Sequence, residues 1–449
     1  VRSDYCMNAT DPKDCYLTFA VSYVENSAYS IWGAKSKDIF DCHMYNESEL
    51  CYDSVNITKC YKTLYSIDCE GCNEIMFCKN CIGCNNCFGC INLKNKSYYI
   101  FNQAYTKEEY AEKLKELEAT SRNNIEGLRE KSVKHWMQYP NKFIHGRHNA
   151  NVSGDYISNS KDAKNCWRIV GAENVKYCQN FTLGPAKDSY DHSNFGDNTE
   201  LIYDSLVVGD GAHNVAFSSQ CYPSNSNLRY CYFCQNSTNL FGCISLRNKQ
   251  YCIFNKQYSK EEYEALVPKI IEHMNEMPYI NKKGIVYKYG EFFPLEFSPL
   301  AYNESYAYEN FPMMKDEVEN QGLIWREQKE KQFNVTMPGV NVPDDIASVD
   351  ENITKEVIGC AHESKCAHEC AGVFKITKQE LQFYKLLNIP LPHICQNCRH
   401  YARFAWRNPA KLWHRKCMKP GCLNEFETSY APDRPEIVYC ESCYNSEVA

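Results

Sequence analysis

FGCINLKNKSYYIFNQAYTKEEY, residues Phe88–Tyr110, returns as FGCISLRNKQYCIFNKQYSKEEY at Phe241–Tyr263, an offset of 153. Upstream, VRSDYCMNATDPKDC (Val1–Cys15) aligns without gaps on VSGDYISNSKDAKNC (Val152–Cys166), and ELCYDSV (Glu49–Val55) on ELIYDSL (Glu200–Leu206), both at 151. Only two residues of insertion separate the copies, so the first two-thirds of this 449-residue chain is one unit written twice.

Each copy carries a finer beat. Tyr16, Tyr29, Phe40, Tyr52, Tyr65, Phe77, Phe88 and Tyr98 recur every 10 to 14 residues in the first, and Cys166, Tyr177, Tyr190, Tyr203, Phe217, Tyr230, Phe241 and Tyr251 do so in the second. Between them lie Asn, Asp, Gly and Ser, the residues of tight turns. Short strands at such regular spacing suggest a sandwich, a barrel or a β-solenoid, and the unbroken beat favours the solenoid. The expected fold is therefore mainly β. Duplicated right-handed β-solenoid-like repeats span 1–104 and 146–257, with helical connectors at 105–145 and 258–281. The connectors start at two capping boxes, Thr106-x-x-Glu109 and Ser259-x-x-Glu262, flanked by Tyr105/Tyr110 and Tyr258/Tyr263 as staples. The first helix is expected to run to Met137, before Pro140. Residues 282–358 are rich in Pro and aromatics and read as an extended wrap, with short helices near 315–321 and 344–357.

Cysteine is the unusual component, at 28 residues. The densest run is Cys69, Cys72, Cys78, Cys81, Cys84, Cys87 and Cys90, which invites a metal or iron–sulfur reading. The second copy argues against it, because Ser237 stands where Cys84 does and Leu240 where Cys87 does. A ligand would not become Leu in an equivalent fold, so these thiols read as small hydrophobes filling a core. Four later pairs differ: Cys366-x3-Cys370, Cys395-x2-Cys398, Cys417-x4-Cys422 and Cys440-x2-Cys443. Eight thiolates saturate two four-coordinate ions, for which zinc is the default, and closed four-cysteine sites are structural rather than catalytic. Reduced thiols in a cytoplasmic protein fit this spacing better than a secreted disulfide framework. No stretch nears the roughly 20 apolar residues of a membrane span.

The region 359–449 then carries two arguments. ELQFYKLLNIPLPHICQNCR resembles the zinc-ribbon, treble-clef family. With FPMMK, LWHRKCMKPGC and YAPDRPEIVYCESCY after Cys/Tyr-rich repeats, the chain is similar to a group of uncharacterised candidate-phyla bacterial proteins. That resemblance implies tandem treble-clef fingers. One ion would be held by Cys366, Cys370, Cys395 and Cys398, and the other by Cys417, Cys422, Cys440 and Cys443. Cys360, with His362 and His368 near it, departs from a clean first pair. In that group a further zinc ribbon can precede the repeats, which fits a chain starting at Val1. The second argument is charge. Net charge is −7, yet residues 360–449 carry 12 Lys/Arg against 9 Asp/Glu, a net of +3 that leaves −10 for the rest. No acidic residue occurs between Leu381 and Asn424, where Arg399, Arg403, Arg407, Lys411, Arg415, Lys416 and Lys419 interleave with Tyr401, Phe404, Trp406 and Trp413. Arg399, Arg403 and Arg407 fall on one helix face. Such a surface suits phosphates and bases, and it equally suits acidic protein, including this chain's own repeats.

The sequence thus points to a non-enzymatic, zinc-binding scaffold whose partner is a protein or a nucleic acid. The third reading is a solenoid hydrolase or lyase acting on polysaccharide, for which Asp188, Asp191 and His192 in KDSYDHSNFGD are the candidates. Asp and Asn are also what turns demand, and no nucleophile elbow, P-loop, dinucleotide fingerprint or HExxH motif occurs.

Overall fold

In the computed structural model, which describes residues 2–181, 184–327, 333–363, 365–366 and 369–448, the chain divides into two units. The first takes Val1–Asn141, Glu330–Asn408 and Pro435–Ala449, and the second takes Lys142–Lys329 and Pro409–Arg434. The 359–449 module expected as one piece is therefore shared between them. His368, and 328–332 of the expected wrap, lie outside the described residues. The helices are α1 (Lys107–Glu116), α2 (Arg122–Trp136), α3 (Lys260–Glu276), α4 (Tyr306–Asn310), α5 (Lys315–Asn320), α6 (Lys378–Leu387), α7 (Gln396–Phe404) and α8 (Glu441–Val448). The rest is mainly short strands, and nearly all of those in the repeats pair in parallel.

Parallel pairing in the first unit keeps one step. Phe19 faces Ile31, Ile31 faces His43, His43 faces Val55 and Val55 faces Ile67, each twelve residues on. A second row repeats the step through Glu49, Tyr61, Asn73, Asn85 and Ser97. The chain thus returns alongside itself every twelve residues, and the backbone N–H and C=O groups of one dozen are met by the next. The row ends where Tyr99 turns back antiparallel onto Ala104.

The local geometry has a period of three. Every third residue lies in the left-handed region, as at Asp41 (φ 55°), Met44 (φ 59°), Glu47 (φ 46°), Leu50 (φ 55°) and Asp53 (φ 45°). This conformation is uncommon for a residue with a Cβ and is tolerated best by Asn and Asp, which are frequent there. The next residue points inward, so the buried positions are Cys51, Ser54, Ile57, Cys60, Thr63, Ser66, Cys69, Cys72, Ile75 and Cys78 in succession. The CxxC rhythm of Cys69–Cys90 is this period. In the second copy Cys231, Cys234, Ser237, Leu240 and Cys243 occupy the same kind of buried position, consistent with core filling.

Small polar side chains suit the inward positions because they serve the backbone. Ser66 Oγ donates to the Leu64 carbonyl at 2.8 Å and accepts the Cys78 N–H at 3.0 Å, and Ser54 does the same for Tyr52 and Ser66. The thiols make the donating half of this contact, as Cys69 Sγ does to the Ile67 carbonyl at 3.3 Å. Size is matched along a column. A Cβ on Gly33 would meet the Tyr45 ring at 2.0 Å, so the glycine makes room for the tyrosine twelve residues on. Outside, the aromatic beat is a stack of rings drawn from two neighbouring columns, with Tyr65 4.9 Å from Phe77 and Phe77 5.6 Å from Phe88.

Both capping boxes form, at Thr106/Glu109 and Ser259/Glu262. The helix expected to run to Met137 is broken instead into α1 and α2. Glu118 turns left-handed (φ 45°) and Ser121 accepts the Asn124 N–H, starting a new helix. The helix expected over 344–357 is two short 3₁₀ turns, Ile346–Ser348 and Glu351–Lys355. Asp345 and Asp350 each bond the N–H two residues on, which closes single turns rather than a longer helix. The helix expected near 315–321 is α5.

The second unit follows the same plan with looser spacing. Gly154 faces Cys166 twelve residues on, Ala172 faces Ala186 fourteen on, and Glu200 faces His213 thirteen on. Part of the expected wrap covers its aromatic column. Tyr289 lies 5.7 Å from Phe217, Phe293 lies 5.9 Å from Tyr230, and Tyr230 Oη accepts the Gly290 N–H at 3.0 Å.

Ser66→Ala leaves the buried Leu64 carbonyl and Cys78 N–H without their hydroxyl, and is expected to destabilise the first unit by about 1–3 kcal/mol. Ser66→Cys, which keeps a weak donor, is expected to cost less. Urea unfolding of both variants checks the order.

Candidate metal centre and the buried arginine helix

The first unit's cysteine centre is assembled by two short elements and a helix. Strand Ile358–Gly359 pairs antiparallel with Val373–Phe374, and the Cys360 N–H donates to the Gly372 carbonyl at 2.8 Å. This brings Cys360 and Cys370 together across the intervening loop. Downstream, α6 begins at a capping box between Thr377 and Glu380 and ends on left-handed Asn388 (φ 53°). Pro390 and Pro392 prevent its continuation. The chain then enters α7 at Cys395, which places Cys398 one turn later.

Four sulfurs, those of Cys360, Cys370, Cys395 and Cys398, lie within 4.8 Å of one another. Neighbouring separations are 3.5 Å for Cys395–Cys398 and 3.8 Å for both Cys370–Cys395 and Cys360–Cys398. Four thiolates on a tetrahedral ion with metal–sulfur bonds of about 2.3 Å stand about 3.8 Å apart, so the donor set fits such an ion. Backbone donors support the sulfurs. The Cys395 N–H points at Cys360 Sγ (3.2 Å), the Ala371 N–H at Cys395 Sγ (3.4 Å) and the Gly372 N–H at Cys370 Sγ (3.4 Å). Burial works to raise the Cys370 pKa, but the Gly372 N–H and the surrounding thiols outweigh it and bring it to about 7.

The expected set is corrected in one member: Cys360 stands where Cys366 was expected. The reason is the strand pairing, which carries Cys360 inward, while Cys366 sits in the loop beyond it. Cys366 Sγ remains 3.5 Å from Cys398 Sγ and groups with His362 and Cys398. Each of the other four expected ligands is placed by its own unit. Cys417 and Cys422 belong to the second unit, in a turn where the Cys417 N–H donates to the Asn424 carbonyl and the Cys422 N–H to that of Lys419. Cys440 and Cys443 belong to the first unit, where Cys440 immediately precedes α8 as Cys395 precedes α7.

The arginine face of α7 is turned inward. Arg399 Nε donates to Asp41 at 3.0 Å, Arg403 Nη1 lies 2.9 Å from Asp41 and 3.4 Å from Asp53, and Arg129 on α2 reaches Asp53 at 2.6 Å. Asp41 and the Arg403 side chain are buried, at 0% and 3% exposure. The Arg399 guanidinium also lies 4.9 Å from the Tyr29 ring centre, and Arg407 donates to His43 Nε2 at 2.9 Å. Of the two uses open to a basic helix, contact with the acidic repeat is the one these side chains make. Burial works to raise the Asp53 pKa, but Arg129 and Arg403 outweigh it and hold the carboxyl below its ordinary value. Burial likewise opposes charge on Arg399, and Asp41 more than restores it. Beside them, burial raises Glu380 to about 7, against the Thr377 N–H that it accepts. Helix α6 packs on the same column, with Phe383 4.1 Å from Phe40 and Tyr384 edge-on to Tyr52 at 5.4 Å.

Lys411, Arg415, Lys416 and Lys419 lie in the second unit. Strands Trp413–Lys416 and Glu425–Thr428 form a hairpin on which Lys416 pairs with Glu425 at 3.1 Å and Lys411 sits over Trp413. Arg415 donates to the Ala431 carbonyl at 3.2 Å. Of the residues considered for catalysis, Asp188 accepts a hydrogen bond from Asn174, Asp191 is exposed, and His192 is fully buried with its pKa pushed down to about 3 by that burial.

Asp41, Asp53, His43 and Arg129 escaped the reading of the sequence. One signal was present. Asp41 and Asp53 stand twelve residues apart at the place that Tyr29, Tyr65 and Phe77 hold in the column. No family model matches this chain, and no curated protein matches it in sequence.

Removing one partner of the buried network, as in Asp41→Asn or Arg403→Ala, is expected to destabilise the first unit by about 3–5 kcal/mol, read by thermal or urea unfolding. Because Asp53 titrates lower when folded, its contribution is complete above about pH 4, its unfolded range, and is lost as pH falls through the lower folded value. Acid titration of stability is expected to be shallower below pH 4 in Asp53→Asn than in the parent chain.

Proposed function

We propose that the protein is a non-enzymatic interaction scaffold held by structural zinc. Two repeat units wound as right-handed β-solenoids would carry treble-clef fingers. The observation that carries this reading is that Cys395 and Cys398 open the same helix whose Arg399 and Arg403 are locked onto Asp41 and Asp53. Zinc would supply no reaction there, only four bonds that fix the start of α7. Cys360, Cys370, Cys395 and Cys398 would hold it, with the backbone donors of Cys395, Ala371 and Gly372 offsetting charge on the sulfurs. With four thiolates in the shell, no position is left for water or substrate. A second ion is assigned to Cys417, Cys422, Cys440 and Cys443 on their spacing. Thiolate ligands and the many free thiols of the repeats favour a reducing, cytoplasmic setting. Among the described residues, no helix is long and apolar enough to cross a membrane.

Nucleic-acid binding, the second use of the basic segment, would have to rest on Lys411, Arg415, Lys416 and Lys419, because Arg399 and Arg403 are engaged by carboxylates. Metal analysis of the purified chain is expected to give about two zinc per chain. Cys395→Ser is expected to lower that by one and to raise hydrogen exchange across α6 and α7. A folded chain with no metal would overturn the reading.

A further inference from the structure

The duplication supplies a template for the second unit. In the first copy, Phe40 pairs with Tyr52, and the residues that follow them, Asp41 and Asp53, are both left-handed. In the second copy, Tyr190 pairs with Tyr203, and Asp191 (φ 51°) and Asp204 (φ 40°) follow them in the same way. One step earlier in each column stand Tyr29 and Tyr177 (φ 54° for both). The first copy's trio is covered: Arg399 lies over Tyr29, Arg399 and Arg403 hold Asp41, and Arg403 and Arg129 hold Asp53.

The second copy's trio has no such cover. Tyr177 is 57% exposed, Tyr203 is 44% exposed and Asp191 is exposed. Among the described residues no arginine or lysine pairs with Asp191 or Asp204. Helix α3, which follows this copy as α1 and α2 follow the first, contains no arginine. The chain's own wrap covers Phe217 and Tyr230, and Asp204 accepts the Phe292 N–H; the same segment reaches Arg168 through Tyr306. Burial, and then the neighbouring Asp191 and Glu291 carboxylates, raise Asp204 to about 6, the mark of a half-buried charge without a cation.

We infer that Tyr177, Asp191, Tyr203 and Asp204 form a docking surface for a partner protein, and that the partner presents a helix with arginines one turn apart. The inference rests on the interaction-scaffold reading, but not on its metal. The chemistry is that of the first copy: one guanidinium over the tyrosine ring and onto the first carboxylate, the next bridging both carboxylates. Arginine rather than lysine is specified, because only its planar fork serves two carboxylates and a ring together.

The test uses the full chain and a labelled, helix-stapled peptide copying Gln396–Asn408 with Cys398→Ser, followed by fluorescence anisotropy. Zinc content is measured on the same preparation, so that loss of metal and loss of docking are read separately. Saturable, salt-sensitive binding is expected. It should weaken at least tenfold in Asp191→Asn/Asp204→Asn and in a peptide with its arginines changed to lysine. The double variant is expected to unfold no earlier than the parent, since in the free chain it removes like charges. No binding by zinc-replete protein, or equal binding by the double variant, overturns the proposal. So does self-association or RNA binding that disappears in the double variant, since either assigns the surface to another occupant.

Discussion

The twelve-residue return of the chain is the constraint on which the structure depends. Once each strand pairs in parallel with its own continuation, every side chain is stacked on the one twelve places away, and columns replace layers as the units of packing. A left-handed residue at every third position makes so short a return possible. It also leaves the inside mostly to small or slender side chains, with Tyr45 admitted where Gly33 makes room. Serine is favoured there because its hydroxyl donates to one carbonyl and accepts an N–H from the next dozen, linking successive rows. Cysteine packs as a small hydrophobe and keeps the donating half. The abundance of cysteine therefore has two unrelated settings in one chain, core filling in the repeats and clusters that could hold a metal ion near the C-terminus.

In the first unit these columns also define where the C-terminal elements attach. A column of rings gives α6 a surface for Phe383 and Tyr384, and Asp41 and Asp53, in the neighbouring column, give α7 its register. Buried carboxylates alone would be strongly unfavourable, and so would buried guanidiniums. Together they close into a network that tolerates few other placements of the helix. The thiol centre at the start of α7 and the ion pairs further along it thus constrain the same element from two points.

The two copies diverge where these contacts are made. The first unit holds a strict step of twelve, whereas the second admits thirteen and fourteen. The aromatic column survives both, and so does the pair of aspartates, yet the covering elements differ: helices over the first, an irregular segment with Tyr289 and Phe293 over part of the second.

Repeat, strand content and helix starts were legible in the sequence. Each follows from local rules: identity at a fixed offset, aromatic spacing and capping boxes at Thr106 and Ser259. The period of three was also written there, in Cys51, Ser54, Ile57, Cys60 and Thr63, but it is neither the period of a helix nor that of an ordinary strand. It became readable only once the backbone showed a left-handed residue before each inward one. The thiol spacing marked a region whose sulfurs could hold a metal ion, and it named Cys366 where the structure groups Cys360, because Cys360 enters through a strand pairing that spacing does not record. What the tertiary structure alone decided is the fate of charge. Arg399, Arg403 and Arg407 form the same basic face in either reading. Whether that face meets solvent or Asp41 and Asp53, more than 340 residues away in sequence, is set by long-range packing that no local pattern encodes.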